Sequence, residues 1–201
     1  YEMSASLVGS EMCIRDSKQS NLSEDLVKRE ISGVAKSLRQ TYLATEGNEK
    51  FVMKGDNLYK GNTMLSGNYK LVDQLKDEQD VEVSLFFGDV REVTTLKDES
   101  GKREINTKMS SEVYDTLKKG EEYFATNVDV LGTDYYGYYV PVYQPGTKEF
   151  AGSVFCGRTQ TQVTQSLRNT VISMAAVMLV IFLAAFIICL LYTSDAADDR
   201  I

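Results

Sequence analysis

Apolar residues recur at steps of three and four through NLSEDLVKREISGVAKSLRQTYLATEGN, where Val27, Ile31, Val34, Leu38 and Tyr42 fall on one stripe. That period predicts a long amphipathic helix. Asn21 and Glu24 stand at capping-box spacing and place its start, and Gly47 places its end. The stripe fits packing on the chain's own sheet, on a partner copy, or on both in turn.

Past Gly47 the period changes to two. DNLYKG reads as a short strand, NYKLVDQLKDEQ as a helix, and VEVSLFF with VREVTTL as two strands joined at Gly88 and Asp89, a two-residue hairpin signal. After the loop KDESGKREINT comes a helix, SSEVYDTLKKG, with Ser110 near its cap and Gly120 at its end. Three strands close the pattern: EEYFATNVDV, YYGYYVPVY and FAGSVFCGR, the last two separated by the turn QPGTKE. Consecutive hairpins give an antiparallel sheet with helices against it, an α+β fold.

The most apolar segment, VISMAAVMLVIFLAAFII from Val171 to Ile188, has no charge and Ser173 as its one polar residue. At about 1.5 Å per residue it is just long enough to cross a bilayer core, whereas a core helix would keep a polar side for water. The two ends of the chain break this logic. LVGSEMCIRDS has neither helical nor strand period, and the apolar segment is followed by Asp195, Asp198 and Asp199 where Lys or Arg is expected on the cytoplasmic side. LVGSEMCIRDS and CLLYTSDAADD each resemble a translated transposase sequencing adapter. We therefore expect Leu7 to about Ser17 and Cys189 to about Asp199 to be read-through of adapter DNA. The expected organisation is an artefact and junction over 1–17, one soluble domain over 18–165, a juxtamembrane segment and membrane helix over 166–188, and a second artefact over 189–201.

Charge and cysteine content follow from that division. Of the net charge of −7, each end holds −2, so residues 18–188 carry −3, a mildly acidic domain with no basic patch for a nucleic acid partner. Of the three cysteines only Cys156 remains, which makes no internal disulfide and reads as a small buried residue. The chain has no histidine, which excludes Ser-His catalysis and the usual zinc sites. DESGKRE mixes acids with bases and lacks calcium-loop spacing. The composition therefore points away from an enzyme, with no metal and no cofactor expected.

Five of the twelve tyrosines lie in TDYYGYYVPVY. On a strand, Tyr135, Gly137, Tyr139, Pro141 and Tyr143 share one face, while Val140 and Val142 share the other. The valine face suits the side under the long helix. The tyrosine face then either lines a concavity, where phenol groups give apolar walls with polar tips and Gly137 leaves room for a ligand, or packs for stability as aromatic strand residues commonly do.

The order long helix, DNLYKG, VEVSLFFGDVREVTT, GKREINT, VYDTLKKGEEYFATNVDVLGTDYYGYYVPVYQP, FAGSVFCG and membrane helix resembles a single Cache sensor domain of bacterial methyl-accepting chemotaxis proteins, over essentially all of residues 18–188. The resemblance implies a PAS-like antiparallel sheet with the long N-terminal helix packed on it, held outside the cell in the cell membrane. It further implies a homodimer that binds a small molecule and signals inward through the membrane helix. It places Arg91 and Thr94 on the strand that faces the ligand, where a guanidinium fork and a hydroxyl suit a carboxylate; the alternative is an exposed edge-strand arginine. With Tyr135, Gly137, Tyr139 and Tyr143 they form the expected ligand site, for a small organic anion such as a short carboxylate or an amino acid. Arg103 is a weaker candidate, more in keeping with solvent or its own loop. The first membrane helix would precede Lys18 and the output module would follow Ile188. A histidine kinase or a cyclic-dinucleotide enzyme therefore stands as the alternative to a chemoreceptor.

Overall fold

The computed structural model describes the backbone of residues 3–198 and the side chains of residues 23–189. The adapter reading of the two ends concerns residues whose side chains, Cys189 excepted, lie outside that set. The chain divides into two units, residues 1–160 and 161–201.

The first unit opens with α1 (Met3–Ala44). The helix does not start at Asn21, as the capping-box spacing predicts, but runs through it. No proline stands in residues 3–44, and Ser or Asn inside a helix costs at most about 0.7 kcal/mol, so the spacing occurs without stopping the helix. Val27, Ile31, Ala35 and Leu38 are buried, and Val34 is only half-buried; the stripe packs on the chain's own sheet, against its last two strands.

Past α1 come β1 (Phe51–Lys54), β2 (Asn57–Lys60) and β3 (Thr63–Met64), a small antiparallel sheet in which the pattern had indicated only the middle strand. Then follow α2 (Lys70–Gln79), β4 (Glu82–Phe87), β5 (Val90–Thr94), α3 (Ser111–Lys118), β6 (Tyr123–Val130), β7 (Thr133–Tyr143) and β8 (Phe150–Thr159). The last five strands form an antiparallel sheet in the order β5-β4-β8-β7-β6. Its two faces are set by register. Val83, Leu85, Val140, Val142, Val154 and Cys156 alternate onto the face under α1, where the Lys36 ammonium lies 5.9 Å from the Tyr138 ring. Burial pushes the Cys156 thiol far above its ordinary pKa, so it stays protonated, an inert core residue. On the opposite face Phe86, Tyr139 and Phe155 form a core cluster with Val113 and Leu117 of α3. The Ser110 hydroxyl caps α3 by accepting from the Val113 amide at 3.4 Å.

On β5, Glu92 points away from Arg91 and is buried, 7 % exposed. Its Oε2 accepts from the Ser66 hydroxyl at 3.2 Å, and the Ser66 oxygen accepts from the Leu58 amide at 2.8 Å, which ties the small sheet to the large one. Burial raises the Glu92 pKa, outweighing the Ser66 bond that lowers it. A carboxyl whose folded pKa lies above its unfolded value destabilises the fold progressively as pH rises from the unfolded pKa, about 4.3, through the folded one. Glu92→Gln keeps the acceptor and removes the charge. It is expected to match the parent near pH 4 and to melt about 2–4 °C higher at pH 7, read by thermal unfolding at both pH values.

The second unit is the continuation of α4 (Gln160–Asp198), which begins at the residue after β8. Its span Gln160–Cys189 is the one helix among the described residues long and apolar enough to cross a membrane, with a mean hydropathy of 3.0 over its best window. From Val171 to Ile188 its large apolar side chains are exposed, Phe182 by 69 %.

Candidate functional site

A cavity of about 360 Å³ lies on the α3 side of the large sheet, in the size range of small-molecule sites. The chain builds it from three pieces. The Gly88-Asp89 turn closes the β4-β5 hairpin, with Gly88 in the left-handed region at φ 57° that such turns require. A register shift between Leu85 and Phe86 then sets Arg91 opposite Phe86. The loop after β5 folds back along the strand, with the Arg91 amide donating to Thr107 O and the Asn106 amide to Arg91 O, each at 2.8 Å. It delivers Lys108, Met109 and Ser110 to the rim, where α3 begins. Tyr123 of β6 and Tyr139 of β7 supply the floor.

Arg91 is the chemical centre of this space. It is 8 % exposed, its guanidinium carbon lies 5.1 Å from the Phe86 ring centroid, and Nη1 donates to Thr107 Oγ1 at 2.9 Å. Its Nε is buried without a hydrogen-bond partner. Among the described residues no carboxylate lies within ion-pair distance of it. Burial lowers its pKa, opposed at longer range by Tyr139 and Glu104, yet an arginine keeps its proton at any physiological pH. A cation out of water and without a counter-ion favours any anion that reaches it.

Tyr139 is buried, with its ring 4.8 Å from Phe155 and 6.3 Å from both Phe86 and Tyr123. Burial pushes its hydroxyl up to about 12, so it acts as a neutral donor or acceptor. The Tyr123 hydroxyl donates to Glu112 Oε1 at 3.3 Å across the mouth, and Lys108 pairs with Asp89 at 2.9 Å beside it.

The structure brings Arg91 and Tyr139 together on this cavity and sets the other four expected residues elsewhere. Thr94 is fully buried, its Oγ1 2.7 Å from Ser84 Oγ and accepting from the Leu96 amide. Tyr135 is buried at the far end of β7, level with Thr159, where burial and nearby Glu82 raise its pKa. The room left by Gly137 is filled: a Cβ there would stand 2.8 Å from Phe155 Cε2 and 2.9 Å from Val128 Cγ2. Tyr143 lies past a register shift, packed edge-on to Phe150 at 6.3 Å, and borders a smaller cavity of about 270 Å³ with Arg39 and Leu43. Arg103 is committed to structure. Nη1 and Nη2 donate to the two Asp73 carboxylate oxygens at 2.8 and 2.7 Å, Nη1 also donates to Thr94 O, and the guanidinium stacks 4.0 Å from the Tyr69 centroid. Sequence reading missed Tyr123, Glu112 and Thr107. The helix signal in SSEVYDTLKKG could have flagged Glu112, since the first turn of a helix favours a carboxylate.

The family profile of the single Cache domain 3 matches residues 62–170, more than half of the chain, and the chain belongs to that family. Among solved structures, the sensor domain of DcuS from E. coli is similar with a TM-score of 0.52 at 17 % identity, covering 73 % of this chain and 98 % of that chain. At that identity the likeness speaks for the fold, a PAS-like Cache sheet with its long helix. A comparison with curated proteins gives no match.

Proposed function

We propose that the chain is the extracytoplasmic sensing part of a transmembrane receptor in the cell membrane, most in keeping with a methyl-accepting chemotaxis protein. In this reading it binds a small organic anion at Arg91 and relays the event through β8 into the helix that follows. The observation behind the reading is Arg91 itself: a buried guanidinium, with an unpartnered Nε and, among the described residues, no carboxylate at ion-pair distance, beside a ligand-sized cavity. Membership of a Cache family and a helix of membrane-crossing length one residue after β8 support it. Chemoreceptors of this type are homodimers by resemblance, and the membrane anchor favours pairing by raising effective concentration.

The test is a thermal-shift screen of the full chain in nanodiscs against short carboxylates and amino acids, followed by titration of the hits on Arg91→Gln. Removing the cation is expected to weaken binding by at least about thirtyfold, roughly 2 kcal/mol, since a desolvated anion is left unpaired. A carboxylate that binds in the cavity with unchanged affinity in Arg91→Gln overturns the anion site.

A further inference from the structure

The cavity has a cationic end and an anionic end, and they are not adjacent. Arg91 leans over Phe86, with its guanidinium carbon 5.1 Å from that ring. Beneath the cavity Phe86 packs on Tyr139, and Tyr139 on Tyr123, each step 6.3 Å between ring centroids, and the two tyrosines line the space. At Tyr123 stands Glu112, which receives the Tyr123 hydroxyl at 3.3 Å and has no lysine or arginine within ion-pair distance among the described residues. Lys108, the other cation on the rim, is paired with Asp89. Asp129 also borders the cavity, but its Oδ1 is engaged in the β6-β7 turn, where it accepts from the Gly132 amide at 3.0 Å.

Resting on the anion reading above, we infer that the site takes a bipolar ligand: a carboxylate on Arg91 and an ammonium on Glu112, joined by an apolar chain lying across Tyr139 and Tyr123. Each part has a physical ground. The inner carboxylate neutralises a buried cation. The outer ammonium meets a carboxylate and the edge of an aromatic floor, where cations are favoured over phenol faces as well as by charge. Methylenes between the two cover ring surface that would otherwise meet water. An α-amino group would sit beside its own carboxylate, held next to the Arg91 cation that repels it and away from Glu112. The arrangement therefore selects an amine at the far end of the chain, an ω-amino acid, over an α-amino acid of the same size.

Three probes of matched length separate the terms: hexanoate, its ω-amino derivative 6-aminohexanoate, and the α-amino isomer norleucine, titrated by calorimetry on the full chain in nanodiscs at low ionic strength. On the parent, 6-aminohexanoate is expected to bind about five- to tenfold tighter than hexanoate, and norleucine no tighter than hexanoate, the advantage shrinking as salt screens the exposed Glu112. Glu112→Gln, which keeps the acceptor for Tyr123, brings 6-aminohexanoate to within about twofold of hexanoate. Asp115→Asn, the same charge change on α3 outside the cavity, leaves the preference intact. Equal affinities of 6-aminohexanoate and hexanoate on the parent, a preference for norleucine, or an advantage that survives Glu112→Gln overturns the bipolar ligand while the anion site stands. Failure of all three probes to bind overturns it as well, and hexanoate binding that ignores Arg91→Gln removes the anion site beneath it.

Discussion

Gly152→Ala is expected to abolish the cooperative melting of the sensor domain. Gly152 lies on β8 beside Phe87 of β4, at the centre of the five-stranded sheet, and an alanine Cβ there would overlap the Phe86 carbonyl oxygen and stand 2.8 Å from its carbon. Both contacts are with backbone, so no rotamer change relieves them. The strand pair must part, which breaks the ladder that positions Phe155 on β8 and Phe86 on β4, both in the core cluster under α3. Loss of central pairing and of that packing belongs to the rare class of effects above about 4 kcal/mol, against a usual domain stability of about 5–15. The control is Gly33→Ala on α1, where nothing lies within 4 Å of the new methyl and the helix interior gains about 0.5–1 kcal/mol. Thermal and urea unfolding of the two variants reads the difference. A Gly152→Ala protein that melts with the parent would mean that β4 and β8 do not pair in this register.

The fold was legible to the extent that period and turn chemistry decide it. The stripe of α1, the Gly88-Asp89 hairpin and the closing run of three strands all read directly, because each buries one face and so repeats at a fixed step. The start of α1 did not read, since capping residues are tolerated inside a helix when nothing breaks it. β1 and β3 were missed because strands of four and two residues hold too few alternations to stand out. The site was legible only by face. Alternation along β7 assigns Tyr135, Gly137, Tyr139 and Tyr143 to one side of the sheet, but α3 and the loop before it cover only the middle of that side. Tyr139 therefore meets the cavity while Tyr135 and Tyr143 pack at its two ends. Gly137 shows how a local rule misleads. Together with Gly157 across the ladder it makes room for the Phe155 ring, 2.5–2.8 Å from where their Cβ atoms would be, so the space at Gly137 belongs to a side chain from another strand. Glu112 and Tyr123 meet across the mouth through the packing of α3 over the sheet, a tertiary relation with no period to betray it.

Lys60→Met is expected to lower stability by about 3 kcal/mol and to fray the last turn of α1. Lys60 sits in DNLYKG, a stretch whose only local signal is a short strand, yet it is fully buried. The reason lies at the end of α1. Glu46 and Gly47 turn through the left-handed region, at φ 51° and 56°, which brings the carbonyls of Leu43, Thr45 and Gly47 towards one point. The Lys60 ammonium occupies that point: Nζ donates to Leu43 O at 3.0 Å, to Gly47 O at 2.6 Å and to Thr45 O, with the Phe51 ring 5.5 Å away. A helix leaves its last carbonyls without partners, and a cation there satisfies both the hydrogen bonds and the negative end of the helix dipole. Burial lowers the lysine pKa, while Glu46 and Glu49 raise it and favour the charged form that donates three bonds. Methionine keeps the apolar stem and removes the donor, so three carbonyls lose a charge-assisted bond at once, each such bond being worth about 1.5–3 kcal/mol singly and less than additive together. Lys60→Arg should recover only part of the loss, because a planar fork does not reproduce three donors converging from one nitrogen. Thermal unfolding measures the cost, and hydrogen exchange at residues 43–47 locates it. Unchanged protection there in Lys60→Met would show that the turn holds itself, and that the buried ammonium is incidental to how α1 ends.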